Sequence, residues 1–218
     1  MNKLNKNNMG MENLLDELQI SIPTKIANLK LPEPDLLNYY KLKENRIIWI
    51  DFDIDESVDE VCKDILQINM EDINIPVEER KPIKLFIYSR GGDGQACFML
   101  LDIIKLSKTP VYTINAGISM SAGALILLAG HKRFCLKNSI CLIHSGSGGA
   151  TGTYEQTASQ MKDYEHFVNS MREYILERST IDQKTFNKHK SHEWYIYADE
   201  QLKLGIVHEI VEDLDQIL

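Results

Sequence analysis

A serine set among small residues, in Gly117-Ile118-Ser119-Met120-Ser121-Ala122-Gly123-Ala124, stands just before the apolar run Leu125 to Ala129. A hydroxyl placed there projects from a sharp turn at the mouth of a helix, where unpaired first-turn N–H groups can bind a developing oxyanion. Serine alone is a weak nucleophile and needs a base. The candidate is His144, which ends the strand-like run Ile140-Cys141-Leu142-Ile143 and opens into Ser145-Gly146-Ser147-Gly148-Gly149. A strand end running into a glycine-rich loop is where catalytic groups tend to sit.

A second constellation lies upstream. Leu85-Phe86-Ile87-Tyr88-Ser89 reads as a strand entering the glycine-rich turn Arg90-Gly91-Gly92-Asp93-Gly94, ahead of a helix over Ala96 to Lys105. Such a turn can present a backbone N–H to an anion. It is not a nucleotide loop, because neither Gly-Lys-Ser/Thr nor GxGxxG spacing is present.

The elements that must position these residues follow from periodicity. Strands are expected at Arg46 to Asp51, Ile83 to Tyr88, Val111 to Asn115, Arg133 to Leu136 and Ile140 to Ile143. Helices are expected at Ser57 to Met70, Ala96 to Lys105 and Ser121 to Leu128. Strand and helix in repetition imply an α/β fold around a mostly parallel sheet. The last third reads as mainly helical. Thr153 to Arg178 has no Pro or Gly and spaces Met161, Tyr164, Phe167, Val168, Met171, Tyr174 and Ile175 close to a helical stripe. Its polar first half is expected to project from the body. Residues 1–45, punctuated by Pro23, Pro32 and Pro34, read as an extension or docking arm with one short helix at Met11 to Gln19, and residues 46–218 as the main domain.

Composition narrows the class. The 218 residues, 44% hydrophobic, can bury one substantial core. A formal charge of −8 argues against nucleic acid or anionic lipid as the main partner. No apolar run approaches the roughly 20 residues that span a bilayer, and the N-terminus lacks a signal-peptide h-region. Cys62, Cys97, Cys135 and Cys141 have no zinc or CxxC spacing and read as reduced core residues, so a soluble cytoplasmic protein is expected. Neither metal nor organic cofactor is suggested.

Together these residues resemble ClpP, the proteolytic subunit of the Clp protease, over roughly Arg46 to Val211. The family's Ile-Asn-Ser-Pro-Gly-Gly corresponds to Ile87-Tyr88-Ser89-Arg90-Gly91-Gly92, and its Gly-Gln-Ala-Ala-Ser-Met-Gly-Ala to Gly117 to Ala124. Its Met-Ile-His-Gln-Pro-Leu-Gly-Gly corresponds to Leu142 to Gly149, with the family's 23-residue spacing between serine and histidine retained. The resemblance implies a ClpP/crotonase fold, Ser121 rather than Ser119 as nucleophile, and His144 as base. It further implies Gly92 and Ala122 N–H groups as oxyanion donors, and Gly148 and Gly149 in a strand that pairs with substrate. The 153–178 helix becomes the handle that joins two stacked, heptameric rings around peptide or unfolded-protein substrates, fed by an AAA+ unfoldase.

The third catalytic group departs from the pattern. The family's Asp lies five residues before the Ala matched by Ala198, and Glu193 occupies that place. Glutamate can orient an imidazole as aspartate does. Asp182 reads instead as a helix cap and Asp199 as a helix-start residue. Arg90 and Ile118 stand where the family has Pro and Gln, and the approach to the first strand is unlike the family's. Two other classes remain: a catalytically silent ring subunit, encouraged by Glu193, and a crotonase-type acyl-CoA enzyme, which needs no Ser-His pair.

Overall fold

The computed structural model describes residues 34–218. The expected 11–19 helix lies outside the described residues, as does most of the expected arm. The chain divides into two compact units, 1–41 and 42–218; of the first, only the beginning of helix α1 (Pro34–Glu44) is described.

The second unit is built on a sheet whose described strands run β1 (Ile47–Ile50), β2 (Ile83–Ser89), β3 (Val111–Met120), β4 (Lys132–Leu136) and β7 (Glu209–Val211), all parallel. Helices α2 (Val58–Glu71), α3 (Gly94–Leu106) and α4 (Ala122–Ala129) connect the first four strands. Their apolar stripes cover one face, where Ile50, Ile65, Leu85, Ile87, Leu100, Ile104 and Leu127 are wholly buried. Apolar burial of this kind contributes about 25 cal/mol per Å². The opposite face carries a smaller cluster of Ile47, Phe86, Ile114, Phe134 and Ile217, and beside it Trp49 stacks on Phe86 with ring centroids 4.8 Å apart.

β3 forks. Its first half, Tyr112 to Asn115, pairs with β4, whereas Ile118 to Met120 pairs with β5 (Ile140–Ile143). The expectation that β3 stops at Asn115 is therefore corrected: the strand continues through an irregularity, in which four residues of β3 span two of β2, and delivers the chain to Ser121. A buried amide pair closes the fork. Asn115 Nδ2 donates to Ile140 O and to Gln201 Oε1, and Gln201 Nε2 donates to Ser139 O and Ile196 O. Both side chains are fully buried, so each of these bonds removes a polar group that would otherwise be costly to hide.

The last third is less helical than its composition suggests. After α5 (Tyr154–Arg178) and α6 (Gln183–His189), strand β6 (Trp194–Tyr197) runs antiparallel along β5, and α7 (Ala198–Lys203) leads to β7. β6 alternates buried and exposed residues, with Trp194 and Ile196 inward and Tyr195 and Tyr197 outward, as a strand with one packed face must. Its four residues are too few for that alternation to stand out in the sequence. α5 opens with a capping box between Thr153 and Gln156, and its buried residues are Met171 and Ile175, both in the second half. Asp182 caps α6 by accepting from Thr185 N–H.

Candidate active site

Ser121 joins the end of β3 to the start of α4 with φ 53° and ψ −119°. Among the described non-glycine residues only it and Arg46 have positive φ. Such a conformation costs on the order of 1–3 kcal/mol and persists where its surroundings over-determine it. Here they do: Ser121 N–H donates to Leu142 O at 2.9 Å, and Ser121 O accepts from Ala124 N–H. All eight residues of α4 are apolar and buried, which fixes the helix on which the turn rests.

His144 follows β5 directly. Because Met120 pairs with Leu142, the residues just beyond both strands emerge side by side, and His144 Nε2 lies 2.7 Å from Ser121 Oγ. This is a full hydrogen bond between a hydroxyl and the group that could take its proton.

The turn after β2 closes against the same point. A Cβ on Gly91 would lie 2.7 Å from Ser121 Cβ and 3.1 Å from Ala122 N, at a φ of +102° that side chains avoid. A Cβ on Gly92 would collide with the Ile54 carbonyl, which already accepts from Asp93 N–H at 2.6 Å. Both glycines are required by close approach. Neither Gly92 N–H nor Ala122 N–H has an acceptor among the described residues. The loop from Ser145 to Gly152 likewise makes no backbone–backbone bond among them; Gly148 packs on Tyr164 of α5, and Gly149 faces open space.

The far end of α4 is also occupied. Arg178, the last residue of α5, donates to Leu128 O, Ala129 O and Gly130 O, and Arg133 donates to Leu128 O and Gly205 O. Two cations thus satisfy the orphan carbonyls of the helix whose other end is Ser121, as its dipole favours. Burial, and then the Arg178 charge, pull Arg133 down to about 10.

Glu193 is placed differently from the other expected site residues. The β5–β6 register pairs Ile143 with Trp194, and one step further sets Glu193 across from His144. Yet the Glu193 carboxylate accepts from Tyr195 Oη at 2.5 Å, and the hydrogen bond that His144 makes is the one to Ser121. Tyr195 was not singled out in the sequence; only the alternation of β6, once seen, puts it on the face of Glu193. Asp182 and Asp199 are occupied elsewhere, Asp182 as a cap and Asp199 with Lys137. All four cysteines are free and buried. Among the described residues no His, Cys, Asp and Glu cluster could hold a metal ion, and no helix is long and apolar enough to cross a membrane.

Comparison with known proteins identifies the family and the fold. The profile of the Clp protease family matches residues 35–214. The chain is 33% identical over 198 residues to the ATP-dependent Clp protease proteolytic subunit 1 of Bacillus cereus, covering 88% of this chain and 98% of that protein. It is 34% identical over 139 residues to proteolytic subunit 2 of Treponema denticola, covering 63% and 70%. A solved structure, that of a ClpP1 mutant from Listeria monocytogenes, superposes with a TM-score of 0.71 at 27% identity, over 83% of this chain and 99% of that one. The chain belongs to the Clp protease family and has its ClpP-like α/β fold.

Proposed function

We propose that the protein is a serine endopeptidase of the ClpP type. The observation that carries the reading is the 2.7 Å contact of His144 Nε2 with Ser121 Oγ at a strained turn on a helix N-terminus. Ser121 Oγ attacks the peptide carbonyl carbon as His144 Nε2 takes its proton. The oxyanion is received by Gly92 and Ala122 N–H, and collapse breaks the C–N bond as His144 returns the proton to the leaving amine. Water, deprotonated by His144, then hydrolyses the acyl ester and restores Ser121. Glu193 is the third member, holding the imidazole when its carboxylate reaches Nδ1. The substrate strand pairs along Gly148 and Gly149, where the backbone has free hydrogen-bonding groups.

The sites work inside two stacked rings of this chain. Supporting this are the exposed aromatic side chains Trp49, Tyr88 and Tyr197 of the sheet and the exposed Tyr154 and Met161 on the bare half of α5. The names of the relatives, ATP-dependent proteolytic subunits, support an AAA+ unfoldase as the ATP-using partner. No metal or organic cofactor enters this chemistry, and the proposed place of action is the cytoplasm.

The test is mass spectrometry after fluorophosphonate treatment. A single adduct on Ser121 that is lost in Ser121→Ala supports the reading; an adduct that persists in Ser121→Ala removes it. The diversion of Glu193 to Tyr195 favours a second reading, a ring subunit that is silent by itself, and a folded wild type that takes no adduct would select it.

A further inference from the structure

Glu193 has two suitors. Continued one step past its last pair, Ile143 with Trp194, the antiparallel register sets it opposite His144, and directly paired residues bring their Cβ atoms to within about 4.5–5.5 Å. Tyr195 stands two residues along the same strand, hence on the same face, and opposite Leu142. A tyrosine at that spacing reaches back one full strand repeat with its hydroxyl, and here it does so, at the short distance of 2.5 Å expected for an O–H donor on a carboxylate. The bond engages the carboxylate with a group other than His144. Glutamate, one methylene longer than aspartate, has the reach to serve either partner.

We propose that Tyr195 is a positioning residue that competes with His144 for the Glu193 carboxylate and so sets how much of the enzyme has an oriented base. The inference rests on the serine-peptidase reading. With the carboxylate on Tyr195, the His144 ring is held among the described residues by Ser121, and neither its tautomer nor the imidazolium formed during attack is supported from behind by a carboxylate. With the carboxylate on His144, both are. The surroundings of the clasp bear on the balance. The carboxylate bond pushes the Tyr195 hydroxyl above its ordinary range, as does Tyr197, while the Arg90 cation pulls it back. Arg90 sits immediately before the Gly91-Gly92 turn, and its charge is felt at the Tyr195 hydroxyl. Exposure of Tyr195 lets its hydroxyl be removed without opening the core.

The experiment measures the second-order rate of fluorophosphonate addition to Ser121 from pH 5 to 9 in the full-length wild type, Tyr195→Phe, Glu193→Ala and the double variant, with thermal melting as a control for folding. Tyr195→Phe is expected to label about tenfold faster, the factor of one charge-assisted hydrogen bond released to the base. The acid limb of its profile moves to higher pH, because a carboxylate beside the imidazole favours the imidazolium. Both changes vanish when Glu193 is already Ala. An equal or slower rate in Tyr195→Phe, or an increase that survives in the Glu193→Ala background, overturns the inference; in either case adduct on wild type and none on Ser121→Ala leaves the peptidase reading standing. If no variant labels at any pH, both fall, since freeing Glu193 has then failed to produce a working base. A loss of melting temperature in Tyr195→Phe is met by Glu193→Asp, whose shorter arm leaves the clasp and should label as fast as Tyr195→Phe was expected to.

Discussion

The two halves of the site are built by different means. Ser121 and His144 leave the ends of two hydrogen-bonded parallel strands, over a wholly buried helix and, at Ser121, against Gly91, which admits no Cβ. The acid corner rests on a four-residue strand, and its carboxylate and its partner hydroxyl both face solvent. In the first half position is imposed by packing, which tolerates little; in the second the carboxylate is held by a single hydrogen bond from Tyr195, and the proposal above sets a bond to His144 against it. A rigid pair and the adjustable third member proposed for it are therefore distinguishable by mutation.

The largest contrast lies in the chemistry. Ser121→Ala and His144→Ala should each lower peptide hydrolysis by about 10⁴-fold or more, whereas a solvent-facing Glu193 engaged elsewhere should lose less than about tenfold on change to Gln, read as kcat/KM. A Glu193→Gln loss as deep as that of His144→Ala would erase the distinction. Next comes Gly91→Ala. The methyl strikes Ser121 Cβ at a φ that alanine resists, so about 1–3 kcal/mol of stability and most Ser121 labelling should be lost together, by chemical denaturation and by adduct yield. A comparable change in the acid corner, Glu193→Ala, should leave stability within about 0.5 kcal/mol.

A smaller effect is expected below the fork. Asn115→Ala strands Ile140 O and Gln201 Oε1, costing about 1–3 kcal/mol in denaturant titration. The smallest is a pH effect. His131 Nδ1 accepts from Val111 N–H and His208 Nδ1 from Arg133 N–H, so each ring is needed neutral. Partial burial, helped by Arg178 at both, lowers their pKa values below 6.5. The unfolded chain then binds these protons first: the contribution is whole above about pH 6.5 and is lost as pH falls through the depressed values. The melting temperature should drop between pH 7 and 5, and less so in a His131→Gln, His208→Gln double variant.

What the sequence made legible follows the same division. The motif around Ser121, the strand end at His144 and the glycine turn are local patterns, and the structure brings Ser121, His144 and Gly91 together. Helix limits fell within a residue or two for α2, α3, α4 and α5 because apolar periodicity over eight residues or more is a strong signal. β6 and the second half of β3 were not legible. A four-residue strand has too few alternations, and the β3 irregularity depends on which neighbour each half meets. The partner of Glu193 was hidden for that reason: the family resemblance supplied Glu193, but only the strand direction shows that Tyr195 shares its face.

The forked strand gives the serine and the histidine a common ruler. Since Ser121 N–H is fastened to Leu142 O, the interval between the two side chains is counted in whole residues of one ladder. Sliding that ladder by one residue would shift His144 by about 3.3 Å and turn it to the other face. The pair is thus digital, either in register or absent, and any graded adjustment of this protein's activity has to be made where no ladder counts: in the loop after His144 and at the carboxylate of Glu193.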